Sequence, residues 1–410
     1  MSEGVRQRRP LQMDSNVKHE DTKQPAKSLS FKRTLYASFI SCIVTLSLII
    51  WLLPSPIEPV AYSMPEPPSF EGPLTPNDHL QKADRLYENK ILGAESLVID
   101  GDHVYTGTED GKIVDIHKGT IRTIAKLGRD PCGRFEDEPT CGRPLGMKLD
   151  HEGYLIVVDS YLGLFKVNVA TGDVYLLWPS TAPINGKVPR FLNDLYIMPD
   201  GLIYITESST KWQWRHNRFN LLEANNTGRL LSYDPNTNIT TELATGFAFA
   251  NGIQLTVNGD ALLICETATA RIMKYNLVGP NAGKVEVFAD NLPGLPDNIR
   301  RSSSGGYWVG FAVIRRKEQF SLIDFTAPRP WLRKLVTKFL SQESIMRFIP
   351  KYGLIAEFND KGEIVRSLHD STGTKVPDVS EVEDHDGVLY LGSYGLPYLS
   401  KLYLQRIKNE

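Results

Sequence analysis

The stretch Leu295–Gly310, LPDNIRRSSSGGYWVG, decides the fold because it is one copy of a unit that recurs along the chain. It opens on an Asp-Asn pair, passes through a Ser-Gly turn and ends in a strand of aromatic and β-branched residues. Two short strands around a turn of Gly, Asp or Asn are typical of a β-hairpin. Related stretches begin at Ser96, Gly146, Asp194, Gly252 and Glu381.

The spacing of these hairpins predicts an all-β fold, a six-bladed β-propeller. Several copies are followed by a second pair of strands, for example GLFKVNVATGDVYLLW from Gly163, so each unit has about four strands. Six such units at a pitch of roughly 50 residues are expected to close into a ring, which protects the sheet edges that separate units would expose. A two-sheet sandwich is the alternative, but sandwiches lack a pitch of this length.

The residues immediately before the six hairpins predict a calcium site. In chain order they are Glu95, Leu145, Asn193, Asn251, Asp297 and Ser380. Four of the six carry side-chain oxygens, and equivalent positions of a propeller face one axis. Two carboxylates and two amides suit Ca²⁺, with Asn298 as a further ligand, whereas zinc prefers His and Cys. A single Asn or Asp before a turn is usually turn chemistry, so the prediction depends on the joint pattern.

The N-terminal part of the chain predicts a membrane anchor. Residues 1–33 are polar and rich in Lys and Arg, and residues 34–53, TLYASFISCIVTLSLIIWLL, carry no charge. Twenty helical residues span about 30 Å, the thickness of a hydrocarbon core. A cleaved signal peptide is the alternative, but the run is long for one and no A-x-A-like site follows it. The positive-inside rule then predicts a cytoplasmic tail at 1–33 and a type II signal-anchor at 34–53.

The rest of the chain is expected to lie outside the cell or in a lumen. Residues 54–78 are dense in proline and predict a semi-rigid stalk, followed by the propeller over residues 79–410. In an oxidising compartment Cys132 and Cys141 are expected to form a disulfide, because no second Cys/His pair is present to complete a zinc site. Asn225 and Asn238 stand in N-x-[ST] motifs and predict N-glycosylation.

Residues 320–353 predict a helical insertion between blades five and six. Its apolar residues recur at helical spacing, which indicates an amphipathic helix over one face of the propeller. These residues are Trp331, Leu332, Leu335, Val336, Phe339 and Leu340. Three roles remain open for the insertion: a lid, a dock against the membrane surface, or additional packing.

Several motifs give the chain a resemblance to a known family. The stretches CGRPLGMKLD, FLNDLYIMPDG, ANGIQLT, LPDNIRRSSSGGYWVG and EDHDGVLYLGS resemble the strictosidine synthase-like six-bladed propellers, and the match extends over the whole chain. That family is similar to paraoxonases and gluconolactonases, which are calcium-dependent hydrolases. The resemblance implies hydrolysis of aromatic esters at the plasma membrane or endoplasmic reticulum. It also implies a calcium ligand set of Glu95, Asn193, Asn251 and Asp297.

Two positions depart from the catalytic patterns of these relatives. Strictosidine synthases use a glutamate of the sixth blade where Ser380 stands here, so strictosidine synthesis is not expected. The neighbouring Glu381 would face the other side of the strand. Paraoxonases use a histidine of the second blade where Leu145 stands. The general base is therefore unassigned, with Asp297 and Asp194 as candidates to orient a water molecule.

The sequence thus predicts a membrane-anchored, calcium-dependent hydrolase of a small aryl ester. The alternative is a non-catalytic cell-surface propeller that binds a partner, with calcium as a structural ion. A formal net charge of -2 gives no basic excess for binding nucleic acid. The sequence contains no G-x-S-x-G, P-loop or H-E-x-x-H motif, and His385 is expected to be structural. No protein partner is predicted.

Overall fold

A computed structural model of the chain describes residue 1 and residues 26–407, without the side chains of residues 26–30. The chain forms two compact units, Met1–Pro54 and Ser55–Glu410. The first unit contains helix α1, Ala26–Leu52, in which Phe31–Leu52 has a mean hydropathy of 2.2. The predicted apolar helix of membrane-spanning length is therefore confirmed. Most of the predicted cytoplasmic tail lies outside the described residues.

The second unit contains six antiparallel sheets of four strands each, which confirms the six-bladed β-propeller. Strands β2–β5 form blade one, β6–β9 blade two, β10–β13 blade three, β14–β17 blade four and β18–β21 blade five. Blade six contains β22–β24 together with β1. In chain order the strands are β1 (Asp84–Leu86), β2 (Leu97–Asp100), β3 (His103–Gly107), β4 (Lys112–His117), β5 (Thr120–Lys126), β6 (Pro144–Leu149), β7 (Tyr154–Asp159), β8 (Gly163–Asn168), β9 (Val174–Pro179), β10 (Phe191–Ile197), β11 (Ile203–Ser209), β12 (Gly228–Asp234), β13 (Ile239–Phe247), β14 (Ala250–Leu255), β15 (Ala261–Glu266), β16 (Arg271–Asn276), β17 (Val285–Ala289), β18 (Gly294–Arg301), β19 (Tyr307–Ile314), β20 (Gly353–Phe358), β21 (Ile364–Asp370), β22 (Glu381–His385), β23 (Val388–Gly392) and β24 (Leu399–Tyr403).

Among the described residues, the helices lie in the N-terminal region, in the connections between strands and directly after the last strand. After α1 they are α2 (Glu138–Cys141), α3 (Asn217–Glu223), α4 (Leu322–Thr326), α5 (Pro330–Phe339) and α6 (Gln342–Met346). Short 3₁₀ helices span Gly72–Leu74, His79–Lys82, Trp214–His216, Thr267–Thr269 and Leu404–Arg406. The loop before α2 is closed by the predicted disulfide, since the Cys132 and Cys141 Cα atoms lie 5.3 Å apart and their sulfurs are bonded.

The first strand of each blade lies innermost and contacts the first strands of the neighbouring blades, from β2 through β22 and back to β2. Strand β1 completes the ring from the other end of the chain, because it pairs antiparallel with β24 and sets Asp84 opposite Lys401. Apolar side chains fill the spaces between blades. Leu263 of blade four, for example, packs in one buried cluster with Ile299 and Val309 of blade five.

The innermost strands of four blades are irregular at the residues that precede the predicted hairpins. In blade three the ladder between β10 and β11 shifts register between Leu192 and Leu195, and in blade four it shifts between Ala250 and Ile253. Blades two and five have the same shift at Leu145 and Asp297. A β-bulge leaves its residues outside the ladder and turns their side chains. The bulges thus free these positions to face the axis.

The helical insertion lies inside blade five, not between blades five and six. Helices α4, α5 and α6 all fall between β19 and β20, and these two strands pair in the same sheet, with Val309 opposite Ala356. The prediction was wrong because it placed the end of blade five directly after the first hairpin of that blade, β18 and β19. Its second pair of strands, β20 and β21, follows the insertion.

The segment predicted as a stalk packs against the propeller unit from Ser55 onward. Ile57 is fully buried in a cluster with Leu222 and Ile345. Phe70 is buried between Tyr352 and blade-five residues, with a ring-centroid distance of 6.2 Å to Tyr352. The prolines prevent helix and central strand as expected, but the apolar residues between them anchor the segment to the surface. We call residues 55–78 the strap, because part of this segment packs on the propeller unit.

Candidate functional site

Four of the five predicted calcium ligands line one cavity at the inner ends of the blades. Glu95 precedes β2, Asn193 lies in β10, Asn251 in β14 and Asp297 in β18, and each is at most 5% exposed. The cavity has a volume of about 70 Å³, which leaves room for water molecules. Asn298 is equally buried but is not among the lining residues.

Glycine allows neighbouring inner strands to approach closely at this end of the axis. A Cβ atom on Gly146 would lie 2.5 Å from the Cα atom of Asp194, and one on Gly252 would lie 2.4 Å from the Cα atom of Asn298. Both glycines follow a residue that precedes a hairpin. The close approach lets side chains from separate blades reach one cavity.

The two amides of the cavity are oriented by their own hydrogen bonds. Asn193 donates from Nδ2 to Ser208 Oγ at 2.9 Å, and Asn251 donates from Nδ2 to Asp297 Oδ1 at 2.7 Å. The Oδ1 atoms of these two amides point away from those acceptors, and neither has a hydrogen-bond partner among the described residues. The same holds for Glu95 Oε2 and Asn298 Oδ1. Four buried oxygens from four predicted ligands thus lack donors, although such atoms are normally paired.

Both carboxyl groups of the cavity resist ionisation. Burial, offset in part by Arg143, raises the pKa of Glu95 to about 7. Burial together with the Glu95 carboxylate raises the pKa of Asp297 well above its usual range. Two buried carboxylates at one site favour a bound cation as their counter-charge.

The donor set therefore fits a hard divalent cation such as Ca²⁺. Within the described part of the chain, no three His, Cys, Asp or Glu side chains are grouped so as to hold a metal by themselves. A cation in this cavity would depend on the amide oxygens of Asn193 and Asn251 as well as on the carboxylates.

The walls of the cavity are mainly apolar, and two insertions contribute part of them. Trp214, Arg218 and Leu221 belong to the segment between β11 and β12 of blade three, and Met346 and Ile349 belong to the insertion of blade five. In an antiparallel meander, the start of the first strand and the connection between the second and third strands lie at the same end of the sheet. Both insertions therefore stand at the end of the axis where the cavity opens.

The two insertions are bonded to each other. Gln342 Nε2 donates to the backbone oxygen of Arg215 at 3.0 Å, and Arg333 Nη1 donates to that of Leu222 at 2.7 Å. Together they form a lid, defined here as residues 210–227 and 315–352. The lid role left open by the sequence thus has structural support, because residues of the insertion line the cavity.

Several positions weighed from the sequence do not contribute chemistry to the cavity. Leu145 is fully buried and packs with Phe191 and Phe249, and no histidine is among the described lining residues. His385 is partly exposed beside Asp386, as a structural turn residue would be. Asp194 does not line the cavity, so its role as a water-orienting residue has no support here.

Asp194 instead belongs to a buried ionic network that sequence reasoning missed. Arg300 Nη1 donates to Asp194 Oδ2 at 2.6 Å, and Arg300 Nη2 donates to Glu381. Asp194 Oδ2 also accepts from the backbone nitrogen of Ile253 at 2.9 Å, and Glu381 Oε1 accepts from that of Leu97 at 2.7 Å. We call Asp194, Arg300 and Glu381 the central network. Its bonds join blades one, three, four, five and six.

The central network was detectable in outline. In blades three and six, Asp194 and Glu381 directly follow the residue that precedes the hairpin. The equivalent residue of blade five is Asn298, and Arg300 lies two residues after it. Opposite charges recurring at nearly equivalent positions of blades three, five and six signal an axial ion pair. A pattern of cation-binding oxygens does not include an arginine, because a guanidinium cannot be a metal ligand.

Comparisons with known proteins agree with this architecture. The family profile "Strictosidine synthase" matches residues 193–280, and "Strictosidine synthase-like, N-terminal" matches residues 72–116. A Gallus gallus protein named adipocyte plasma membrane-associated protein is 44% identical over 99% of each chain.

Two solved structures share the fold at low sequence identity. A gluconolactonase from Xanthomonas campestris is 14% identical with a TM-score of 0.53, over 86% of this chain and 99% of its own. A calcium-binding regucalcin from Agrobacterium tumefaciens is 13% identical with a TM-score of 0.51, over 78% of this chain and 92% of its own. At such identities the likeness concerns the fold alone.

Proposed function

Because the chain belongs to the adipocyte plasma membrane-associated protein family of strictosidine synthase-like propellers, we propose that it is a membrane-anchored, calcium-dependent hydrolase of aryl esters. The observation that carries the proposal is the set of unpartnered buried oxygens on Glu95, Asn193 and Asn251 around one cavity. The calcium binding named for the regucalcin neighbour is consistent with it. We further propose that the propeller lies outside the cell or in the lumen, as a type II topology would place it.

The cavity gives the residues of the chain distinct roles. Glu95, Asn193, Asn251 and Asp297 would hold Ca²⁺, with Asn298 adjacent. When bound, the ion would polarise an ester carbonyl and acidify a coordinated water. Phe191, Trp214 and Phe249 provide aromatic walls that suit the ring of an aryl ester.

Two further features of the cavity favour ester hydrolysis. Arg218 brings a positive charge to the wall, and its Nε atom has no hydrogen-bond partner among the described residues. That group can stabilise negative charge developing on a carbonyl oxygen. The lid limits the access of bulk water, and phenolate leaves readily enough that the reaction needs little general-acid help.

The proposal is tested on the purified full chain by hydrolysis of phenyl acetate with calcium, with chelator and after calcium is restored. We expect activity to be lost on chelation and recovered on addition of calcium. Asp297→Asn and Glu95→Gln should each lower kcat/KM by about 100-fold. Asp115→Asn is the matched control, because Asp115 is a buried carboxylate of blade one that bonds to His103 at 2.8 Å, away from the cavity.

The alternative, a non-catalytic propeller with a structural calcium, is favoured by one observation. The position that would carry a paraoxonase-type histidine is Leu145, and it is sealed in an apolar cluster. Equilibrium dialysis with calcium separates the two functions. Binding that depends on Asp297 but supports no turnover would leave the structural role, and absence of binding would reject both.

A further inference from the structure

Helix α5 of the lid turns its aromatic residues outward. Trp331 is 64% exposed and Phe339 is 56% exposed, whereas Arg333 and Thr337 on the opposite side are buried. An amphipathic helix that packs on a protein surface is expected to bury its aromatic residues and to expose its polar ones. Additional packing against the propeller therefore does not explain why these aromatic residues are present.

The buried side of α5 is occupied by a guanidinium that fastens three segments. Arg333 donates to the backbone oxygens of Leu222, Val60 and Ala327 and lies over the Tyr62 ring at 5.0 Å. These contacts hold α5 in its orientation. The outward aromatic face is thus a fixed property of the fold.

Outside α1, the exposed Phe and Trp residues are concentrated in this one segment. Outside α1, six described Phe or Trp residues are strongly exposed, and all but Phe135 lie in the lid. The five are Phe320, Phe325, Trp331, Phe339 and Phe348, which we call the aromatic patch. Phe320 and Phe325 are in ring contact at 5.5 Å, and large exposed apolar residues grouped in one segment indicate a site of interaction.

The charge and position of the patch indicate what covers it. Residues 315–351 contain nine Lys and Arg but three Asp and Glu, although the whole chain has a formal net charge of -2. Ser55 Oγ lies 3.4 Å from Thr337 Oγ1 of α5, and only Leu53 and Pro54 separate Ser55 from the end of α1. Three Cα–Cα steps reach at most about 11 Å. The apolar helix therefore ends three residues before a position that is bonded to α5.

We propose that the aromatic patch docks into the headgroup region of the membrane that α1 crosses. Aromatic rings and basic side chains are the groups that favour a lipid–water interface. This inference rests on the proposed membrane span and is independent of the proposed esterase chemistry. Because Met346 and Ile349 line the cavity while Phe348 between them is 64% exposed, docking sets the cavity entrance at the lipid surface.

Nitroxide labels on the full chain in phosphatidylcholine nanodiscs test the proposal. The label is placed at Phe348→Cys or Phe320→Cys in a Cys42→Ser background, because Cys265 is buried and the other two cysteines form the disulfide. Oxygen and a water-soluble nickel complex are used as relaxation agents. The control is Val278→Cys, which is 61% exposed on the connection between the third and fourth strands of blade four, at the opposite end of the blades.

We expect the ratio of oxygen to nickel accessibility at both patch sites to exceed that at residue 278 several-fold. Adding phosphatidylserine should increase the ratio further. Equal ratios at all three sites would overturn the proposal and leave a protein as the partner of the patch. A label on native Cys42 tests the membrane span separately. If Cys42 is buried in the membrane but the patch sites are exposed to solvent, docking alone is rejected. If Cys42 is itself exposed to solvent, the membrane span on which the docking proposal rests is rejected.

Discussion

Replacement of Arg300 by methionine should strongly destabilise the propeller. The Arg300 side chain is 1% exposed, and two of its three carboxylate partners, Asp194 and Glu381, are fully buried. Removal of one partner from a buried ion pair costs about 3–5 kcal/mol, because an uncompensated charge remains. Here one guanidinium serves two fully buried carboxylates, so we expect the upper part of that range. Methionine retains much of the volume, which limits the cavity left behind.

The measurement is urea unfolding of the purified full chain, followed by tryptophan fluorescence near pH 8. Lys118→Met is the control, since Lys118 and Asp102 are each more than 70% exposed and pair at 3.7 Å. Such a surface pair contributes less than about 1 kcal/mol. Addition of Asp194→Asn and Glu381→Gln to Arg300→Met should recover most of the lost stability, because the charges are then removed together.

The pH dependence of the loss gives an independent check. Burial raises the pKa of Glu381 to about 7 even beside Arg300. Without the guanidinium, this carboxyl can avoid its buried charge by protonation at low pH, so the destabilisation should be smaller near pH 5 than near pH 8. If Arg300→Met and the control unfold at the same urea concentration as the native chain, the reasoning is refuted.

Three further outcomes are expected. In calcium-free buffer the free energy of unfolding should fall as the pH rises from about 5 to 8. The raised pKa values of Glu95 and Asp297 keep protons on the folded chain that the unfolded chain releases. Urea titrations at several pH values should show a smaller fall for Asp297→Asn. Cys132→Ser should lower stability by about 2–3 kcal/mol, and an equal melting temperature would contradict the role of this loop closure. Asn238 is exposed in a turn, so expression in a secretory cell should give a glycosidase-sensitive mass that Asn238→Gln lowers; an unchanged mass would show the site unused.

The fold was predictable because the propeller repeats its signal. Each of the six hairpins identified from turn residues and apolar strands is the inner pair of a blade. The grouping of Glu95, Asn193, Asn251 and Asp297 around one cavity follows from the same repeat, since equivalent positions of a ring converge on its axis. Whether the cavity binds calcium stays a prediction.

Features that occur once were not predictable in the same way. Strand β1 has three residues and no alternation of its own, so its pairing with β24 depends on the finished ring. The orientation of α5 depends on Arg333 finding backbone oxygens in the strap and the lid, which no local pattern reveals. The strap itself was hidden because the prolines that exclude regular structure do not prevent burial of Ile57 and Phe70.

The pairing of β1 with β24 determines when this protein can finish folding. The two strands of that seam are about three hundred residues apart in the sequence, so a ribosome must synthesise five complete blades before the sixth can form. Until then the growing domain has two unsealed edges and an unfinished hub. The chain is therefore most vulnerable to chaperone capture or to strand exchange between nascent chains late in its synthesis. A mutation that disrupts β24 should also release β1, which lies near the other end of the domain sequence.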